Sequence, residues 1–285
     1  MNIKNNSFVK LVLTYCRKFD KQDTFGLAAE MSFYLFTALF PFVILLFVIA
    51  TLISTSMQEM LFSLISYLPR DMENVITELL MSFKGSLPII LLSAGLGIWY
   101  MGSVIITLTK AINRFYSIKE TRKYIILRIR AMFFAIFIIV IMFLTFTLLI
   151  FGRETQGLVT QVSFFKFMDI QRLWDFARYL LCILVIFFSM SFIFMKLPNQ
   201  KFKFKSIACG SALTTIAWCI TSYGFSFYVT NIADYHVIYG SLASIVVLVT
   251  WIYLSAFVIL LGASLNSFWH RIRAIKKYKA SVSER

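Results

Sequence analysis

Residues 87–109 read LPIILLSAGLGIWYMGSVIITLT, a run with no Lys, Arg, Asp or Glu, and this stretch decides the fold. A helix needs roughly 17–25 apolar residues to cross the hydrocarbon of a bilayer. Inside hydrocarbon every backbone N–H and C=O must find a partner within the protein, which a helix supplies from its own turns. Five more runs of the same kind occupy residues 31–53, 131–152, 179–195, 207–229 and 241–265. The chain therefore reads as an all-α, polytopic membrane protein of six transmembrane helices. Its 60% hydrophobic composition and mean hydropathy of +0.81 agree with that.

Lys and Arg bias a short loop towards the cytoplasm. They gather on alternate loops: Lys4, Lys10, Arg17, Lys18 and Lys21 before the first run, and Lys110, Arg114, Lys119, Arg122, Lys123, Arg128 and Arg130 after the second. Lys196, Lys201, Lys203 and Lys205 follow the fourth run, and Arg271, Arg273, Lys276, Lys277, Lys279 and Arg285 follow the sixth. The other loops hold Arg70, Lys84, Arg153, Lys166, Arg172 and Arg178. Both termini are expected in the cytoplasm of a bacterial cell, with the body of the protein in the inner membrane. The formal charge of +15 is explained by this asymmetry and calls for no nucleic-acid partner. The partners it does predict are membrane lipids, through anionic head groups at the cytoplasmic face.

Residues 1–29 are too charged for a cleaved secretory signal, so the first span is expected to act as an uncleaved anchor. Within them Phe8, Leu11, Val12, Tyr15 and Phe19 share one helical face, the pattern of an interfacial amphipathic helix. Residues 30–268 make one six-helix membrane domain, and residues 269–285 a basic cytoplasmic tail. An external amphipathic hairpin is predicted at 56–86, where Leu61, Leu64, Ile65 and Leu68 form one stripe, Pro69 ends it, and Ile76, Leu79, Leu80 and Phe83 form another. Cys16, Cys182, Cys209 and Cys219 fall near the cytoplasm or inside apolar runs, as packing residues rather than disulfides.

Small residues let membrane helices approach closely. Gly95, Gly97 and Gly102 in the second span and Gly210 in the fifth predict that these two helices are central, with Gly262 packing in the sixth. The third and fourth spans are apolar all round and suit lipid contact. Trp99, Ser103 and Ala111 recur at one fixed offset as Trp251, Ser255 and Ala263, a faint echo between two spans that run in the same direction.

Several residues stand out as candidates for ligand contact or gating. Pro41 lies mid-span, where it removes one helix hydrogen bond; it predicts a kink, static or hinged. Glu30 enters the first turn of the first span, either as a carboxylate favoured by the helix dipole or as a proton or cation acceptor. Asp234 and His236, with Tyr235 and Tyr239, crowd the shortest outer loop, as a polar site at the bundle mouth or as an interfacial belt. No metal or cofactor site is read here. The two histidines, His236 and His270, fall on opposite sides of the membrane, and neither a phosphate loop nor a Ser-His-Asp set is present, so no catalysis is expected.

Two stretches carry a resemblance. Residues 28–34 (AAEMSFY) with 39–41 (LFP), and residues 239–242 (YGSL), 251–256 (WIYLSA) and 261–266 (LGASLN), resemble the YihY / virulence factor BrkB family of bacterial inner-membrane proteins. Ser264 stands where that family often has an acid. The resemblance implies that Tyr34, Pro41, Tyr239, Gly240, Trp251, Tyr253, Gly262 and Asn266 are characteristic positions. Members have been labelled ribonuclease BN, or linked to serum resistance or lipid export. The expected function is transport-type, moving or sensing a lipid or other amphiphile through a cavity between the first, second, fifth and sixth spans. The alternative is a scaffold that assembles as a homo-oligomer or with envelope proteins through the external hairpin.

Overall fold

The computed structural model describes residues 22–53, 73, 74, 77, 78, 87–159, 170–231 and 239–283. Six long helices follow one another: α1 (Thr24–Ile53), α2 (Leu87–Tyr116), α3 (Tyr124–Val159), α4 (Ile170–Lys196), α5 (Phe204–Asn231) and α6 (Ala243–Ser283). Each is long and apolar enough to cross a membrane. No strand occurs among the described residues. The amphipathic segment before residue 22, most of the 56–86 hairpin, and Asp234 and His236 lie outside the described residues.

Consecutive helices pack side by side, and α6 returns to lie against both α1 and α2. α2 is the centre: 44% of its span is buried, against 22% for α3 and for α4. The core runs through Val104, Ile105, Leu108, Ile112 and Phe115 of α2, with Met31 of α1, Phe194 of α4, Ile207 of α5 and Leu260 of α6 against it. α5, expected to be equally central, is 28% buried. Its small residues Gly210, Ser211, Thr214 and Thr215 are all buried, and the contacts of Gly210 and Thr214 are with α6. A small-residue stripe marks one close interface, and that does not require a central position.

Carbonyls at a helix C-terminus lack partners within the helix. At the basic end of the bundle, Ser267 Oγ and Arg271 Nη2 donate to the Phe115 carbonyl at 2.6 and 3.0 Å, and Arg271 also reaches Ser117 Oγ. Arg114 donates to the Gln22 carbonyl at 2.9 Å, tying α1 to the end of α2. Arg122 and Arg130 donate to the carbonyls of Leu197 and Lys196 at the end of α4. Basic residues that mark the loops in sequence thus also seal helix ends.

Two expectations need correction. α1 begins at Thr24, so Glu30 is past the first turn and beyond the strongest reach of the helix dipole. α3 begins at Tyr124, which puts Arg128 and Arg130 inside a helix rather than in a loop.

Candidate functional site: a polar stripe on α2

Leu92, Leu96, Trp99, Ser103, Thr107 and Lys110 follow one another at three- and four-residue steps and so share one face of α2. Leu92, Leu96 and Trp99 are 63, 40 and 49% exposed. Towards the basic end the stripe turns polar, with buried Thr107 and exposed Lys110. α1 lies along one side, where the Pro41 ring packs at Gly97, 3.3 Å from where a Cβ would stand. α3 lies along the other, with Met132 against Gly102.

Each flanking helix sends one charged group to the stripe. From α1, the Glu30 carboxylate accepts a hydrogen bond from Thr107 Oγ1 at 2.8 Å. From α3, Arg128 donates through Nη1 to Ser103 Oγ at 2.9 Å and through Nη2 to the Trp99 carbonyl at 2.8 Å. Its guanidinium carbon stacks 3.6 Å from the centroid of the Trp99 ring. Arg128 is 7% exposed, and its Nε is buried with no hydrogen-bond partner. Among the described residues the ion pair is Arg122–Glu120, and no carboxylate pairs with Arg128.

The first turns of α3 explain the inward arginine. Ile125, Ile126, Ile129 and Phe133 are exposed, whereas Leu127, Ala131 and Ala135 are buried. Arg128 sits on the buried flank, beside Leu127, so helical geometry carries its long stem towards α2. Counting basic residues as loop markers hid this site. The signal in the sequence was Tyr124-Ile125-Ile126-Leu127 before Arg128, an apolar turn that extends the third run backwards.

A second polar seam joins α5 to α6. A Cβ on Gly210 would lie 2.0 Å from Asn266 Oδ1, and one on Gly262 would lie 1.7 Å from Thr214 Oγ1. Asn266 is 1% exposed, and neither atom of its amide has a partner. Trp218 Nε1 donates to Ser255 Oγ at 3.1 Å, and its ring meets the edge of Trp251 at 6.2 Å. Side chains therefore fill this contact between α5 and α6. A small depression with room for about 10 Å3, roughly one water molecule, lies between α2, α3 and α4, lined by Ile105, Thr109, Arg122, Leu127, Arg130, Ala131, Phe134 and Leu197.

The echo between α2 and α6 acquires a geometry. The Ser267–Phe115 bond joins residues 152 apart, the same offset that relates Trp99 to Trp251 and Ser103 to Ser255. In both helices a Trp and the Ser four residues later engage one side chain of a neighbour, Arg128 on α3 or Trp218 on α5.

The remaining candidates scatter. Tyr34 and Tyr253 are partly buried against the core. Tyr239 is 44% exposed. Gly240, which opens the single turn Gly240–Leu242, has φ of +53°, a conformation that favours glycine over residues with a Cβ. Gly95 faces open space and packs against nothing within 4 Å. Among the described residues no three of His, Cys, Asp and Glu come together.

At the basic end, Glu120 accepts from Arg122 at 2.6 and 2.7 Å and from Asn113 Nδ2 at 2.7 Å. The Arg122 hydrogen bond holds the Glu120 carboxyl below its ordinary value of 4.5. Asn113 also accepts from the Asn199 backbone at 3.0 Å, which links the loops after α2 and α4.

Residues 15–284 match the family described as Virulence factor BrkB. The chain is 29% identical over 251 residues to the ribonuclease-like protein YfkH of Bacillus subtilis, covering 86% of this chain and 89% of that protein. It is 29% identical over 201 residues to a UPF0761 membrane protein of Pseudoalteromonas translucida, 68% of this chain and 63% of the relative. A UPF0761 membrane protein of Alteromonas mediterranea matches at 41% over 71 residues, about a quarter of each chain. No solved structure matches.

Proposed function

Because the chain belongs to the virulence factor BrkB family and is a multi-pass protein of the bacterial inner membrane, we propose that it is a transport-type protein that takes an amphiphile by its head group. The head group meets Ser103 and Thr107 of α2, with Arg128 and Glu30 as the charged contacts, and the apolar part lies along Trp99, Leu96 and Leu92. The basic end is the cytoplasmic end.

One observation supports this reading above the others: Arg128 is buried beside a partly exposed stripe with no carboxylate paired to it among the described residues. An arginine buried in a membrane helix without a counter-charge is costly, and such residues mark pathways for ions or substrates. A ligand that brings its own negative charge offsets that cost. Exposed Lys119, Lys123, Lys196 and Lys201 at the same end draw in anionic head groups, each contributing about 1 kcal/mol near a charged surface. Asn266, Gly210, Gly262 and Trp251 hold the α5–α6 pair together in this reading, and Pro41 with Gly97 fixes α1 on α2.

A ribonuclease reading, suggested by the name of the Bacillus relative, needs acid–base or metal-ligating groups at one depth. In the sequence His236 precedes the last apolar run and His270 follows it, which disfavours it.

The test is reconstitution of purified protein into liposomes carrying leaflet-specific labelled lipids. Wild-type protein is expected to speed their movement between leaflets over protein-free vesicles, and Arg128→Gln to abolish the gain. Wild-type vesicles that behave like empty ones would overturn the proposal. A stoichiometric envelope partner that co-purifies without lipid movement would favour the scaffold.

A further inference from the structure

We infer that the ligand of the α2 stripe is a zwitterionic lipid whose head group joins a phosphate to a primary ammonium, as in phosphoethanolamine. This rests on the transport-type reading of the same site. Glu30 is anchored on Thr107 and Arg128 on Ser103, so two opposite charges stand on either side of one stripe. Four residues separate their anchors, about 6 Å along the helix axis. No ion pair joins them.

Both groups keep unused bonding capacity. A guanidinium has five N–H donors, of which Arg128 places one on Ser103 and one on the Trp99 carbonyl. The Nε–H is buried and unpartnered. A phosphate accepts such a fork through two oxygens. The Glu30 carboxylate accepts one bond, from Thr107, and a carboxylate accepts about four, enough for an ammonium.

The order along the helix matches the order within a lipid. Lys110, exposed, marks the basic, watery end of the stripe. Glu30 at Thr107 comes next, then Arg128 at Ser103, then the apolar, exposed Trp99, Leu96 and Leu92. A lipid of the leaflet at the basic end presents its ammonium nearest water, its phosphate deeper and its chains deeper still. Its ammonium thus meets the carboxylate and its phosphate the guanidinium. A phosphoglycerol head group brings only negative charge and places it beside Glu30. A phosphocholine head group has a cation without N–H donors, so it makes no hydrogen bond to Glu30.

The test uses the full-length protein in detergent, titrated with short-chain phosphoethanolamine, phosphocholine and phosphoglycerol lipids, with bound lipid counted by native mass spectrometry. Wild-type protein is expected to bind the ethanolamine lipid about tenfold tighter than the other two, the gain of one charge-assisted hydrogen bond. Glu30→Gln erases that preference while lipid still binds. Arg128→Lys, which keeps the charge without the fork, weakens binding of all three lipids. A wild-type preference for phosphoglycerol, no preference at all, or a preference unchanged in Glu30→Gln overturns the head-group assignment and leaves the transport-type reading standing. Retention of wild-type affinity for all three lipids in Arg128→Lys and Arg128→Gln, both with normal melting curves, removes the stripe as a site and the transport-type reading with it.

Discussion

The guanidinium carbon of Arg128 lies over the indole of Trp99, 3.6 Å from the ring centroid, while its Nη atoms bond the Trp99 carbonyl and Ser103. One helix turn of α2 thus takes two of the five N–H donors of an arginine carried in by α3. The contact joins a buried cation to a half-exposed aromatic ring where α3 packs on α2.

Replacing Trp99 by Leu keeps apolar bulk and removes the π face. The variant is expected to lose about 0.5–2 kcal/mol of stability, read as a lower melting temperature in detergent. Trp99→Phe should fall between. Equal melting of Trp99→Leu and wild type would mean that the stack contributes nothing.

Gly210 is the glycine on which the α5–α6 contact depends most directly, because a Cβ there would sit 2.0 Å from Asn266 Oδ1. Gly210→Ala is expected to destabilise by about 1–3 kcal/mol through overpacking. Asn266→Ala in the same chain should recover part of the loss, since it removes the atoms that clash. The melting temperatures of the two single variants and the double variant form the cycle; simple additivity would refute the contact.

Gly97 and Gly95 are two residues apart and predict opposite outcomes. Gly97→Leu drives a side chain into the Pro41 ring and should part α1 from α2, at a loss of about 1–3 kcal/mol. Gly95→Leu enters open space and should be neutral, or stabilising by up to about 1 kcal/mol from helix propensity. Guanidinium or thermal denaturation of the two purified variants decides between them.

Glu120 gives a pH dependence of known sign. Its folded carboxyl titrates below the ordinary 4.5 because Arg122 bonds the charged form. The pair's contribution is therefore fully present above the unfolded value and is lost as pH falls through the lower folded value. Between pH 7 and 5 the melting difference between wild type and Glu120→Gln should stay constant. Below about 4.5 it should shrink. A difference that grows on acidification would reverse the assignment.

Topology offers a final check. A reporter fused after Arg285 is expected to be active in the cytoplasm, as the Lys and Arg distribution requires. Activity confined to the exported compartment would invert the orientation of every helix and place the proposed lipid in the other leaflet.

The sequence alone determined the six crossings, because a bilayer imposes one length and one polarity on any helix that spans it, and local composition records both. It also marked Gly97, Gly210, Gly262 and Asn266 as packing or characteristic positions, and each proved to lie at a close contact or in the buried seam. The stripe was not legible there. Glu30 read either as a dipole-favoured carboxylate or as a proton or cation acceptor, and Arg128 as a loop charge, since charge counting is one-dimensional and assigns a side chain to water by its neighbours in the chain. Only the tertiary structure decided that α1 and α3 flank the same face of α2, and so that a carboxylate and a guanidinium far apart in sequence are anchored one helical turn apart, on Thr107 and Ser103. That arrangement depends on side-chain direction and helix register, which are set by packing between helices and leave no local trace in the chain.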